Sequence, residues 1–283
     1  MASGCHYFSI PIPRIRPNRR CLRASQSPPP PASALSSSVP FLPKTLSEIR
    51  NSRVIACLRA KGGMLAMEAA RAALKGGISV LEVMLSTPDA SMVIQGLLKE
   101  NPFSIIGVTA DLTLCEIEAA RMNFLLAGAV LNVDDAREAM NAGAKFLMSP
   151  GTVMEILHEV EGSGVLYIPG AMTPTEVLCA FEAGAKLVKV YPATILGGGK
   201  YISALKRPFP HIPIVASQGI SIDSIKQYID AGTTAVILSD AIFDKNAMEQ
   251  GDFDTIHRLA GSAISKVAQA GIIAQQQAST HKN

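Results

Sequence analysis

The chain contains no tryptophan, and only 17% of its 283 residues are charged. No apolar stretch reaches the roughly 18 residues that a membrane-spanning helix needs, so no span is expected. Its five cysteines, at 5, 21, 57, 115 and 179, form no CxxC pair. Their spacings suit neither a zinc site nor a disulfide framework. The histidines at 6, 158, 211, 257 and 281 show no HExxH-like grouping. A protein-bound catalytic metal is therefore not expected, although carboxylates alone can hold Mg²⁺.

Acidic residues are missing from the first 45 positions, and the first acid is Glu48. The same stretch holds six basic residues, eight serines and nine of the 18 prolines, including the run Pro28-Pro29-Pro30-Pro31. Such a segment cannot bury enough apolar surface to pack. Rich in Arg and Ser and free of acid, residues 1–45 read as a disordered transit peptide, directed to the chloroplast stroma in preference to the mitochondrion. Without it the chain keeps 20 Lys and Arg against 23 Asp and Glu. No basic patch with interleaved aromatics remains, so no nucleic-acid partner is expected.

Hydrophobic residues make up 48% of the chain, enough for one sizeable core. From residue 50 a short apolar run, a turn, an amphipathic stretch and a glycine recur. The runs are 54–58, 79–85, either 104–108 or 128–131, 145–148, 164–168, 187–190, 213–216 and 234–238. They are short and rich in Val and Ile, as buried parallel strands are. Helices are expected over 64–74, 133–140, 174–181, 222–229 and 253–267, with Gly143, Gly184 and Gly232 just past three of them. Thr173-Pro174-Thr175-Glu176 combines an N-cap, a proline at the first helical position and an acid in the first turn.

Eight strand–helix units predict a (β/α)₈ TIM barrel over 46–270, followed by a flexible tail over 271–283 that is polar from Gln275. An open doubly wound sheet would bring a GxGxxG after its first strand, which is missing.

Two strands carry a charge where an apolar side chain is expected. Lys189 lies between Val188 and Val190, and Glu82 between Leu81 and Val83. Burial disfavours the charged form of an amine, and a neutral amine attacks a ketone carbonyl to form an imine. A glutamate opposite it is either its salt-bridge partner or the general acid/base that moves protons as the imine forms and breaks. Strand ends are small and polar: Ser149-Pro150-Gly151, Pro169-Gly170, Ser217-Gln218-Gly219 and Ser239-Asp240. Small residues after strands seven and eight let backbone N–H groups approach an anion, although tight turns have the same composition. Gly197-Gly198-Gly199-Lys200 lacks a Walker pattern and reads as a flexible connection.

Over roughly residues 50–268, the segments Leu81-Glu82-Val83, Gly128-Ala129-Val130-Leu131-Asn132, Ala142-Gly143-Ala144-Lys145-Phe146, Ser149-Pro150-Gly151, Ile168-Pro169-Gly170 and Val188-Lys189-Val190-Tyr191-Pro192 resemble the bacterial-type 2-keto-3-deoxy-6-phosphogluconate/4-hydroxy-2-oxoglutarate aldolases. The resemblance implies a metal-independent, cofactor-free homotrimer that cleaves a 2-keto-4-hydroxy acid to pyruvate and an aldehyde. It matches Lys189 to the Schiff-base lysine, Glu82 to the catalytic glutamate, Pro150 to a pocket proline and Tyr191 to a pocket aromatic. Ser217, Gly219 and Ser239 fall at substrate-binding strand ends.

The chain also departs from that family. Ser86 stands at an arginine and Ala129 at a threonine, both contacts to the substrate carboxylate. Gln218 stands at a glycine, and Ser239-Asp240-Ala241 replaces a phosphate-binding Gly-Gly-Ser. About 20 extra residues near 109–126 interrupt strand three, as a helical lid, a displaced strand or an in-frame coding error. Beside the aldolase, two other functions fit these departures: oxaloacetate decarboxylation through the same imine, and a non-catalytic plastid assembly component.

Overall fold

The computed structural model describes residues 41–109 and 130–280, with side chains over 44–109 and 130–270. Helix α1 (Phe41–Ser52) leads into β1 (Val54–Leu58), and strands and helices then alternate. In order they are α2 (Gly63–Lys75), β2 (Val80–Met84), α3 (Ala90–Glu100), β3 (Ile105–Thr109), α4 (Val133–Asn141), β4 (Phe146–Met148) and α5 (Met154–Glu159). The second half runs β5 (Leu166–Ile168), β6 (Gly170–Ala171), α6 (Pro174–Glu182), β7 (Val188–Val190), α7 (Gly199–Lys206), β8 (Ile214–Ser217), a 3₁₀ turn (Ile222–Ser224), α8 (Ile225–Asp230), β9 (Ala235–Leu238), α9 (Lys245–Gln250) and α10 (Phe253–Thr280).

All pairings are parallel, in the order β5-β4-β3-β2-β1-β9-β8-β7-β6. The two ends of that order, β5 and β6, are separated in the chain only by Pro169. Pro169 also accepts a hydrogen bond from Lys189 N–H at 2.8 Å. One extended segment thus pairs with β4 on one side and β7 on the other and closes the cylinder, giving the eight strand positions of a TIM-like barrel.

Period two sorts each strand into two walls. Val54, Ala56, Leu58, Leu81, Val83, Val108, Val190, Ala216 and Leu238 pack outward into the layer shared with the helices. Ile55, Cys57, Val80, Met84, Ile105, Phe146, Met148, Ile168, Leu187, Val215 and Ile237 fill the interior. The strands are buried on both sides, which is why they read as continuous apolar runs. Gly107 is paired in register with Glu82, and the Phe146 ring occupies the space a side chain at 107 would take.

Helix α1 was not anticipated. Its Leu46 and Ile49 join the interior cluster, and the helix touches β1, β2, β5 and β9. It therefore closes the end of the cylinder where the strands begin. Residues 41–45, expected to belong to the leader, are helical, and Thr45 is fully buried.

Other sequence expectations meet the structure unevenly. Ile105–Thr109 is the third strand, paired with β2 and β4, whereas Val130 and Leu131 are not in a strand. The rest of the interruption, 110–126, and Gly128-Ala129 lie outside the described residues. The helix expected over 222–229 divides into the 3₁₀ turn and α8 because Ser221 and Ser224 cap each other. Helix α10 continues to Thr280, where a flexible tail was expected. The Ala- and Gln-rich stretch after Gly271 has good helix propensity and no proline.

Gly170 has no room for a Cβ, which would overlap the Pro150 carbonyl. Gly170→Ala is therefore expected to cost about 2–3 kcal/mol, measured by urea unfolding. An unchanged midpoint would mean that the β4–α5 loop yields freely.

Candidate active site

The two strand charges both reach the interior. Glu82 shares its face of β2 with Val80 and Met84, and Lys189 shares its face with Leu187, all of them interior residues. Glu82 is 1% exposed and Lys189 4% exposed, and among the described residues no other Asp, Glu, Lys, Arg or His is fully buried. Backbone pairing holds both firmly. Glu82 lies between Cys57 and Gly107, and Lys189 between Gly170 and Val215. Lys189 Nζ lies 5.4 Å from the centre of the Tyr191 ring, which is on the same wall nearer the mouth.

Following the interior parity of each strand to its C-terminal end gives the rim of the mouth. Tyr191, Ser217 and Ser239 continue the inner faces of β7, β8 and β9. Thr109 does so on β3, and Arg59 on β1. Arg59 and Thr109 were not singled out by sequence reasoning. Arg59 is half-buried and donates through Nε to Met84 Sδ at 3.2 Å, two residues along β2 from Glu82. Arg59, Ser86, Ser239 and Asp240 line one cavity of about 820 Å³. The Ser86 hydroxyl is shielded from solvent and has no hydrogen-bond partner among the described residues.

Pro150 and Tyr191 meet across a second cavity of about 580 Å³, with Gly170, Met172 and Glu176. A buried network positions the Pro150 loop. Tyr167 faces outward from β5, and its hydroxyl meets Ser149 Oγ and accepts from Val153 N–H at 3.1 Å, while Ser149 Oγ bonds the Gly151 carbonyl. Burial raises the Tyr167 hydroxyl's pKa above the usual phenol value, so it stays a neutral donor. Behind this cavity, α6 begins with the expected box: Thr173 Oγ1 accepts from Glu176 N–H, and Glu176 accepts from Thr173 N–H at 2.8 Å. The Met172 and Thr173 N–H groups hold the Glu176 carboxyl below the usual range.

Gly219 lies at the end of β8 with φ +70°, where a Cβ would come within 2.8 Å of Thr194 Oγ1. The triple glycine is a packing device: a side chain at Gly199 would meet Gln227, and Lys200 is exposed on α7. Ala129 lies outside the described residues. Among the described residues no three His, Cys, Asp or Glu side chains converge to hold a metal, and no helix is long and apolar enough to cross a membrane.

A family model described as "KDPG and KHG aldolase" matches residues 112–259. The KHG/KDPG aldolase of Escherichia coli K12 is 31% identical over 199 residues, covering 70% of this chain and 84% of that protein. The chain belongs to the KDPG and KHG aldolase family. A 2-dehydro-3-deoxy-phosphogluconate aldolase of Pseudoalteromonas atlantica is 32% identical over 203 residues, covering 72% of this chain and 86% of its own. The fold of this family member is similar to the crystal structure of KDPG aldolase from Legionella pneumophila, in which pyruvate was captured as a covalent carbinolamine intermediate. The TM-score is 0.66 at 24% identity, covering 77% of this chain and 97% of that one.

In this family member the Tyr167 hydroxyl is the tie between β5 and the Pro150 loop. Tyr167→Phe is expected to destabilise the protein by about 1–2 kcal/mol and to speed amide exchange at Val153. Unaltered exchange there would show that the loop holds without the tie.

Proposed function

We propose that this protein is a class I aldolase that cleaves a 2-keto-4-hydroxy acid to pyruvate and an aldehyde through an imine on Lys189. The observation that carries the proposal is the burial of one lysine and one glutamate on the inner wall of the barrel, where among the described residues they are the sole fully buried charged side chains. Burying charge is costly, and in a fold whose chemistry sits at the strand ends this pair lies beneath the mouth.

Lys189 Nζ attacks C2 of the keto acid to give a carbinolamine, which loses water to form the iminium. Removal of the proton from the C4 hydroxyl then breaks the C3–C4 bond. The aldehyde leaves, and the bonding pair moves into the iminium to give an enamine. Protonation at C3 and hydrolysis of the imine release pyruvate and return the amine. Glu82 is the carboxylate suited to carry these protons, directly or through water. No step consumes an oxidant or needs a metal.

The keto acid's carboxylate needs a cation at the mouth. Ser86 supplies a hydroxyl in place of the arginine expected there, and Arg59 at the end of β1 supplies the guanidinium. Tyr191 and Pro150 enclose the opposite side. The departure at Ser86 is in this way compensated from the neighbouring strand.

We also propose a plastid location and a homotrimeric assembly. The acid-free, Arg- and Ser-rich residues 1–45 support the first. The exposed apolar side chains of Met154 and Met172, on the rim of one cavity, support the second. Sedimentation should give three times the protomer mass, and protein recovered from isolated plastids should lack the leader. A monomer at all concentrations, or exclusion from plastids, would contradict these two statements.

Borohydride added with pyruvate is expected to fix a stable adduct on Lys189, located by peptide mass mapping. Arg59→Ser should raise the pyruvate concentration needed for half-labelling by about 30-fold or more, the loss of a charged hydrogen bond. Glu82→Gln should keep some labelling while cleavage falls by about 10²–10⁴-fold. An unlabelled Lys189, under conditions that label a control class I aldolase, would refute the proposal.

A further inference from the structure

Resting on the aldolase reading, we infer that the substrate's far end is a neutral, hydroxylated tail and not a phosphate, with Asp240 and Gln218 reading its hydroxyls.

In (β/α)₈ barrels a substrate phosphate is commonly received by the loops after the seventh and eighth strands and by the N-terminus of a short extra helix. Here those elements are the loops after β8 and β9 and the short helix α9. In each, some of the backbone donors are already taken by the protein's own groups. Asp244 Oδ1 accepts from Ala247 N–H at 2.9 Å, placing a carboxylate at the start of α9. The Ser239 carbonyl accepts from both Ile242 N–H and Phe243 N–H at 2.9 Å, which turns those donors inward. After β8, Ser221 Oγ accepts from Ser224 N–H at 3.3 Å and Ser224 Oγ accepts from Ser221 N–H at 3.0 Å.

Charge at the rim points the same way. Asp240 is exposed and makes no ion pair or hydrogen bond among the described residues. It lines the cavity that Arg59 and Ser86 also line, so with the substrate carboxylate on Arg59, a phosphate seated beside Asp240 meets a like charge. Lys61 of that cavity is paired with Glu249 at 3.2 Å. A hydroxyl, by contrast, donates to a carboxylate in a charge-assisted bond.

Gln218 adds a second polar group, at a conformational cost. Its φ of +84° lies where L side chains are rarely found. The Thr194 hydroxyl holds this turn by donating to the Gln218 carbonyl at 2.8 Å. Gln218 is exposed and directly follows β8 at its C-terminal end, and a strained residue in such a place is the kind of outlier that function maintains. Its amide offers both a donor and an acceptor, which suits a hydroxyl.

The test compares cleavage of 2-keto-3-deoxygluconate with that of its 6-phosphate, with pyruvate–borohydride labelling run beside it. The wild type should favour the unphosphorylated acid in kcat/KM by about 10-fold or more, the scale of one like-charge contact. Asp240→Asn combined with Gln218→Gly should move that ratio toward the phosphate ester by a similar factor. Equal or faster cleavage of the phosphate ester by the wild type, or a ratio that the double variant leaves in place, overturns the inference. So does labelling of Lys189 with cleavage of neither acid. Absence of labelling instead removes the aldolase reading and the inference with it.

Discussion

Everything in this structure depends on a steric rule of parallel strands: alternate side chains face opposite walls. Once β5 and β6 close the cylinder through Pro169, that rule sends Glu82 and Lys189 inward, into the buried interior of the barrel. Moving either charge into an apolar medium costs several kcal/mol, and a fold of marginal stability has little reserve for two such residues. A shift of one residue in register would turn both onto the helices. The apolar interior, including Phe146 against Gly107 and the α1 residues Leu46 and Ile49, holds the register in which they face each other's side of the barrel.

The barrel's two ends divide the work. At the base, α1 covers the interior and contributes side chains to it. At the mouth, loops are tied by specific bonds: Tyr167 to the Pro150 loop, and Thr194 to the Gln218 turn. Those ties fix the backbone, while Arg59, Ser86, Tyr191 and Asp240 supply chemical variety around it. Fixed backbone with variable side chains is how one barrel serves different substrates.

Much of this was legible in the sequence. Strands such as 54–58 and helices such as 174–181 declared themselves through apolar runs and caps, because burial on both sides and the Thr173–Glu176 box are local properties. Lys189 and Glu82 stood out because a charge within an apolar run is conspicuous. Arg59 did not. Val54-Ile55-Ala56-Cys57-Leu58 is apolar at every position, so the run itself does not reveal which parity faces inward. Only closure of the barrel shows that Ile55 and Cys57, and hence Arg59, belong to the inner wall. Helix α1 escaped notice for another reason: its start merges with a proline-rich leader, and its value lies in covering an end that exists only after folding. The left-handed backbone at Gln218 is likewise a tertiary fact, enforced by Thr194 from the adjacent loop.

The central claim is that the Lys189 amine, on the inner wall beneath the mouth, bonds covalently to a 2-keto acid. Crystals equilibrated with pyruvate at high resolution test it most directly. The account predicts continuous density from Lys189 Nζ to C2 of the pyruvyl group, its carboxylate on Arg59 and Ser86, and the Glu82 carboxyl within reach of C3 directly or through one water. Pyruvate bound elsewhere, with the lysine unmodified, would contradict it.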